Sequence, residues 1–317
     1  MNKLSEEQYI SEIKRLKAEK NAIILAHYYQ SGEIQDIADF IGDSLALSQK
    51  AASNNADIVV FAGVKFMAET AKIIAPEKKV LLPDMNAGCS LADSCKAIDF
   101  EKFIKENPGR TVVSYVNASA EIKALSDIIC TSSNAIQIIE SLPPEEKILF
   151  APDRNLGNWV LNVTGRDMVI WNGTCHVHEE FSLEAILRLK KENPEAKIIV
   201  HPECELPVRM VADFIGSTHS LLQFTKIDNG NCYIVATEVG IIHQMKKENP
   251  DKMYISVPPK DSTCGCSECN FMKLITIEKI FNCIKNESPE ILIDENVLMK
   301  AQKPIRRMME ISEKQGL

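Results

Sequence analysis

Ala38-Asp39-Phe40-Ile41-Gly42-Asp43-Ser44 returns later in the chain as Ala212-Asp213-Phe214-Ile215-Gly216-Ser217-Thr218, with the first five residues identical. A weaker third copy is Ser126-Asp127-Ile128-Ile129-Cys130-Thr131-Ser132. The aspartates lie 88 and 86 residues apart (127 − 39 and 213 − 127). Self-similarity at a steady period marks a repeated supersecondary unit. The repeat extends upstream, where each copy follows an apolar run of strand type: residues 22–26, 111–114 and 197–200. Each run ends in two polar residues separated by one: His27/Tyr29, Tyr115/Asn117 and His201/Glu203. The first member precedes the repeat aspartate by 12 residues every time (39 − 27, 127 − 115, 213 − 201).

Downstream, a hydroxyl follows each aspartate by five residues: Ser44, Ser132 and Thr218. Helical stretches come next at 45–54, 134–141 and 219–225, then apolar runs at 58–62, 147–151 and 233–236, and third runs at 80–82, 168–171 and 253–257. Strand, helix, strand, helix, strand is the order of a parallel α/β layer. The pattern predicts three pseudo-threefold-related three-layer αβα domains with short parallel sheets, over residues 1–88, 89–174 and 175–284. A helical tail, 285–317, is expected to pack on the first. Ligand chemistry in such folds sits at the carboxyl ends of the strands, which is where the polar pairs fall. Strand-end capping and turns would explain any single pair; one register kept three times favours a shared site.

Of the 317 residues 45% are apolar and 25% charged, and the net charge is −8. That balance suits a soluble globular protein and argues against non-specific nucleic-acid binding. No run approaches the roughly 18 apolar residues of a membrane span. Residues 1–21 are charged throughout and read as an amphipathic helix, without the apolar centre of a secretory signal, so a cytoplasmic location is expected.

Ten cysteines without a secretory signal point to a metal, a cluster or redox chemistry rather than a disulfide scaffold. Cys89 follows Asp39 by 50 residues, Cys175 follows Asp127 by 48, and Cys264, Cys266 and Cys269 follow Asp213 by 51, 53 and 56. Each repeat thus ends with a loop carrying cysteine. Three thiolates converging on a pseudo-threefold axis suit a [4Fe–4S] cluster with one iron free of protein ligand. Such an iron can act as a Lewis acid. The Cys264-Gly265-Cys266-Ser267-Glu268-Cys269 tract also suits a zinc knuckle or a redox pair, although no second C-x-x-C pair accompanies it. Cys95, Cys130, Cys204, Cys232 and Cys283 follow no repeat logic and read as core residues.

Several segments together resemble the quinolinate synthase family. They are Ala26-His27-Tyr28-Tyr29-Gln30, Asp43-Ser44, Asn86-Ala87-Gly88-Cys89-Ser90-Leu91-Ala92-Asp93, Ser114-Tyr115-Val116-Asn117 and Cys130-Thr131-Ser132-Ser133-Asn134. Pro152-Asp153-Arg154-Asn155-Leu156-Gly157, Trp171-Asn172-Gly173-Thr174-Cys175-His176-Val177-His178, His201-Pro202-Glu203-Cys204, Gly216-Ser217-Thr218 and Cys269-Asn270-Phe271-Met272-Lys273 continue the match in family order across nearly the whole chain. The resemblance implies a three-domain pseudo-symmetric α/β fold around a central [4Fe–4S] cluster. It implies condensation of iminoaspartate with dihydroxyacetone phosphate to quinolinate, phosphate and water on the route to NAD. A hand-off of iminoaspartate from an L-aspartate oxidase or aspartate dehydrogenase follows from that chemistry. By resemblance the cluster ligands are Cys89, Cys175 and Cys269. The C-x-C-x-x-C tract departs from the family's usual C-x-x-C-x-x-C or single cysteine, leaving Cys264 and Cys266 spare.

The chemistry then distributes roles. Backbone N–H groups at a helix start, with a hydroxyl, bind anions, so Ser44, Ser132 and Thr218 are expected to hold carboxylates and phosphate, assisted by Lys or Arg. Glu203 is the best general base, with His201 assisting. His27 and Tyr29 face the same pocket and join catalysis, while Tyr115 and Asn117 hydrogen-bond intermediates. His178, three residues after Cys175, is a candidate to sit behind the cluster ligand. Another [4Fe–4S] hydro-lyase with an open iron, or a redox sensor built on the cysteine tract, are the competing readings.

Overall fold

The computed structural model describes residues 4–260 and 267–317. Its strands form three four-stranded sheets. The first holds β1 (Ala22–His27), β2 (Phe40–Gly42), β3 (Ile58–Ala62) and β4 (Lys79–Leu81) in the order β2-β1-β3-β4. The second holds β5 (Thr111–Tyr115), β6 (Ile128–Cys130), β7 (Ile148–Ala151) and β8 (Met168–Ile170) in the order β6-β5-β7-β8. The third holds β9 (Lys197–Val200), β10 (Phe214–Ile215), β11 (Cys232–Ala236) and β12 (Met253–Ser256) in the order β10-β9-β11-β12. Every strand pairing within them is parallel. Helices join the strands and cover both faces, giving the three expected αβα layers. Burial on both faces is why β3 and β7 read as unbroken apolar runs, with every residue buried.

Each unit has one strand more than the apolar runs predict. The extra strand is the repeated motif itself: β2, β6 and β10 contain Phe40-Ile41, Ile128-Ile129 and Phe214-Ile215. The repeat aspartate one residue earlier explains how so short an edge strand is held. Asp39 N–H donates to Ile24 O (2.9 Å) while its Oδ2 accepts from Ile24 N (2.7 Å). Asp127 does the same with Val112 (2.9 and 2.8 Å), and Asp213 with Ile198 (2.8 and 2.7 Å). The carboxylate stands in for the missing strand carbonyl, so the central strand's N–H is not left orphaned.

The C-terminal part departs from the expected domain plan. Helix Ile277–Asn286, assigned by sequence mostly to the third unit, packs on helix Glu6–Glu19 and β3 of the first, with Tyr9 and Phe281 edge-to-face at 5.3 Å. The next residues stay there, Ile291 N donating to Val80 O at 2.9 Å. Helix Glu295–Lys314 does not sit on the first unit alone. It packs against helix Lys65–Ile74 of that unit and against helix Ala120–Ala124, β6 and helix Ala135–Glu140 of the second. Ala301, Ile305, Met308 and Ser312 form its buried face at helical spacing. Among the described residues no helix is long and apolar enough to cross a membrane.

Candidate functional site

A cavity of about 380 Å³ opens where the carboxyl ends of the three sheets meet, within the size range of small-molecule sites. His27 ends β1, Tyr115 ends β5, and His201 directly follows β9. These three and their partners Tyr29, Asn117 and Glu203 all line the cavity. Ser44, Ser132, Thr218, His178, Cys89, Cys175 and Cys269 line it too. Every candidate residue named from sequence is therefore brought to one place, except the spare Cys264 and Cys266, which lie outside the described residues.

The two-residue spacing of the polar pairs has a local cause. Tyr29 N donates to His27 Nδ1 (3.2 Å), and Glu203 N donates to His201 Nδ1 (3.3 Å). With Nδ1 accepting, the neutral ring carries its proton on Nε2. Burial lowers the pKa of both rings to about 3, so each is a neutral imidazole with an N–H to offer. His201 Nε2 lies 3.3 Å from Ser132 Oγ.

The three hydroxyls lie at or just before helix starts, as expected, but do not cap them. The caps are Asp43, Asn134 and Ser217, of which Asp43 accepts from Ala46 N and Ser217 from Ser220 N. Ser44 and Thr218 are the first helical residues, and Ser132 lies two residues before Asn134. Asp43 and Ser217 do the capping beside Ser44 and Thr218, and all three hydroxyl residues line the cavity. Behind them Ser133 Oγ donates to Asp43 Oδ2 (2.5 Å) and bonds Ser217 Oγ (2.7 Å), tying one residue of each repeat together.

A buried hydrogen-bond chain runs from Thr218 to Cys175. Tyr29 OH lies 2.8 Å from Thr218 Oγ1 and 2.7 Å from Thr237 Oγ1. Thr237 Oγ1 is 3.0 Å from His178 Nε2, and His178 Nδ1 is 2.8 Å from Glu203 Oε2 and 3.2 Å from Cys175 Sγ. Burial opposes ionisation of Glu203, but the charge and hydrogen bond of His178 outweigh it and hold the carboxyl low, at about 2. Burial, then the Glu203 charge, raises Tyr29 and Tyr115 well above the ordinary phenol range. Both therefore stay protonated donors. Among the described residues, Glu203 Oε1 and Asn117 Oδ1 are buried without a hydrogen-bond partner. Such orphans cost about 1–3 kcal/mol each unless a ligand satisfies them.

The three thiols arrive one from each repeat. Cys89 caps helix Ser90–Asp93, Cys175 caps helix His176–Glu179, and Cys269 precedes the turn Met272–Leu274. Burial first, and then neighbouring charges, pushes Cys89 up to about 12 and Cys175 well above the thiol range; burial also raises Cys269. Thiolates in this setting need a compensating cation, and bound iron or zinc supplies one. A single tetrahedral ion holds its sulfurs about 3.8 Å apart, from bonds of about 2.3 Å. Among the described residues the three thiols are not such a close group; only Cys175, His178 and Glu203 place their ligand atoms within 4.8 Å of one another. Three soft donors spread around one cavity fit a multi-iron cluster.

Sequence reasoning missed part of the site. Thr237 and Glu238 follow β11 directly, where the repeats share no motif. Phe66, Met67, Phe271 and Met272 supply apolar wall. The expected Lys and Arg are absent from the described lining, whose polar donors are imidazole, phenol, amide and hydroxyl groups.

The chain is similar to known proteins over most of its length. The family model described as "NadA: Quinolinate synthetase A protein" matches residues 11–310. The curated quinolinate synthase of Thermosynechococcus vestitus is 56% identical over 303 residues, covering 96% of this chain and 95% of that protein. Those of Microcystis aeruginosa and of a Nostoc species are each 57% identical over 300 residues, covering 95% of this chain and 94% and 92% of theirs. With a family match across nearly the whole chain and relatives of this identity, the chain belongs to the quinolinate synthetase A family.

Proposed function

We propose that this chain is a quinolinate synthase, condensing iminoaspartate with dihydroxyacetone phosphate to give quinolinate, phosphate and water for NAD synthesis. The observation that carries the reading is the meeting of Cys89, Cys175 and Cys269, one from each repeat, at a cavity walled by strand-end acid–base groups. In this reading the three thiolates hold a [4Fe–4S] cluster. The cluster supplies a Lewis-acidic iron without a cysteine ligand. The three domains of the sequence plan stand in this proposal, amended so that the chain beyond residue 276 belongs with the first two.

The chain's own residues do the rest. Ser44, Ser132 and Thr218, with the Nε2–H groups of His27 and His201, bind the substrates' carboxylates and phosphate through neutral donors. Neutral donors bind an anion without making a surplus positive field that would hold the product. Asn117 Oδ1 accepts from the imine or hydroxyl of an intermediate. Glu203 removes protons from carbon, using the free Oε1 while Oε2 stays on His178. A carboxylate held as low as this is a weak base in water, so exclusion of water from the cavity is what makes it effective. Tyr29, linked through Thr237 to the far nitrogen of His178, holds that ring against Glu203. Tyr115 keeps its phenolic proton for donation.

The test is anaerobic purification with iron and sulfide counting, then incubation with oxaloacetate, ammonia and dihydroxyacetone phosphate. Four irons and four sulfides per chain and an ultraviolet-absorbing pyridine dicarboxylate are expected. A single zinc without sulfide, held at Cys175, His178 and Glu203, would overturn the cluster reading. An intact cluster with no need for the sugar phosphate would point to a hydro-lyase.

A further inference from the structure

Glu238 is a fully buried carboxylate in the cavity wall. Its Oε1 accepts from the backbone N–H of Cys269 (3.1 Å) and lies 3.0 Å from Lys273 Nζ. Its Oε2 accepts from Gly240 N (2.7 Å). Lys273 also donates to Tyr29 O (2.8 Å) and, through its backbone N–H, to Cys269 O (3.1 Å). One side chain therefore joins the end of β11, the third cysteine and, through Lys273, the loop after β1. Gly240 makes this junction possible, since a Cβ there would stand 2.8 Å from Tyr28 O and from the Tyr29 carbonyl carbon.

The repeats explain why a glutamate stands here. Two residues beyond β3, β7 and β11 come Val64, Asp153 and Glu238. Asp153 caps its own helix, its Oδ1 accepting from Leu156 N at 2.6 Å. Glu238 is one methylene longer, and its carboxylate reaches the cysteine loop instead. Cys89 and Cys175 each begin a helix whose turns fix their backbones. The third cysteine begins no α-helix, and its backbone N–H takes the side-chain carboxylate.

We propose that Glu238 is a positioning residue for Cys269, presetting its backbone so that the thiolate faces the cluster and coupling that ligand through Lys273 to Tyr29. The inference rests on the reading of Cys269 as a cluster ligand. Outer hydrogen bonds of this kind orient a ligand and typically change metal retention by about 10- to 100-fold. Glutamine at 238 keeps the size but offers only one acceptor oxygen to donors on two sides, so one bond is lost.

The experiment compares wild type, Glu238→Gln and Cys269→Ser after anaerobic reconstitution. Iron release to a chelator is followed, together with iodoacetamide labelling of each cysteine in the metal-free full-length chain. Glu238→Gln should load a cluster, release iron about 10- to 100-fold faster and label Cys269 faster while Cys89 labels at the wild-type rate. Should the single variant not fold, the charge-balanced Glu238→Gln/Lys273→Gln is put through the same measurements. Wild-type iron release, or equal acceleration of labelling at all three ligand cysteines, would overturn the positioning role. A complete cluster in Cys269→Ser would instead overturn the ligand assignment beneath it.

Discussion

At the scale of single residues, the same repeat uses similar polar groups for opposite purposes. Asp39, Asp127 and Asp213 are the most regular feature of the sequence, yet each closes a strand edge and none lines the cavity. The residues 12 positions earlier, and those two beyond them, are the ones that face it. Glu203 combines a locked oxygen with a free one. Glu203→Gln should retain full iron and sulfide yet lose at least about 100-fold in turnover, the usual scale of a lost general base; full activity would remove Glu203 from the mechanism. His27 and His201 yield a second prediction. Burial depresses both to about 3 from an ordinary 6.5, so neither changes charge between pH 5 and 8. Imidazole nitrogen resonances of the metal-free protein should report Nε2–H neutral rings across that range, and an inflection near pH 6.5 at either ring would contradict the burial argument. The linkage runs in the matching direction: a depressed histidine favours the fold above its unfolded pKa of 6.5, and that contribution fades as pH falls toward 3.

At the scale of elements, the legible parts were those with enough residues to show a period. The central strands and their flanking helices announce themselves as apolar runs. β10 is two residues long, and no periodicity can be read from two residues. Its existence depends on the Asp213 clamp, a tertiary contact that local pattern does not display. The tail failed for a related reason. The buried face of helix Glu295–Lys314 is plain in the sequence, but nothing in one helix says which two neighbours it fills. The turn Glu287 after helix Ile277–Asn286 shows how such an element is tied down. Its carboxylate bonds Lys20 and Lys79, each at 2.6 Å, from a backbone at φ 51°. Those hydrogen bonds lower its pKa to about 2 from 4.5. The stabilisation is present above pH 4.5 and lost as pH falls through 2. Glu287→Gln should therefore lower the urea midpoint of the metal-free protein at pH 6 by an amount worth no more than about 1 kcal/mol, since the pairs are partly exposed, and the gap to wild type should narrow below pH 4. A gap constant with pH would assign the effect to the turn and not to the charge. Gly173 is a stricter case, because a Cβ there would lie 2.5 Å from Pro152 O, a backbone atom, two residues before Cys175. Gly173→Ala should displace that loop and lower iron content on reconstitution without preventing the fold.

At the scale of the whole molecule, the convergence of the three units was readable from register, while the asymmetry among them was not. Equal spacing of the strand-end pairs, with a cysteine late in every repeat, implies a common axis, and the Asp43–Ser133–Ser217 contact lies where the three repeats touch. The apolar interior is distributed unequally. One continuous core runs through the first and second units, takes in Met272 and Ile275 from the end of the third, and is filled by the C-terminal helix with Ala301, Ile305 and Met308. The third unit carries two clusters of its own, one on each face of its sheet, and Tyr28 is the first unit's buried contribution to them. Tyr29 and Ile41 of the first unit pack on them half-buried, and polar ties add to these: Tyr29 to Thr218 and Thr237, Gln35 to Gly240 O, and Lys273 to Tyr29 O. Hydrogen bonds contribute about 1 kcal/mol net each, less than burial of a large apolar side chain. Opening between the third unit and the other two should therefore cost less than separating the first from the second. Native-state hydrogen exchange tests this directly. Amides of β1, β3, β5 and β7 should share one high opening free energy, and those of β9 and β11 a lower one. Ser133→Ala, which removes the hydroxyl joining Asp43 and Ser217, should lower the β9 and β11 value further and leave the shared value of the first two units nearly unchanged. One common value for all three sheets in wild type would mean that the polar seam is as strong as the apolar one, and the ranking drawn from the cores would fail.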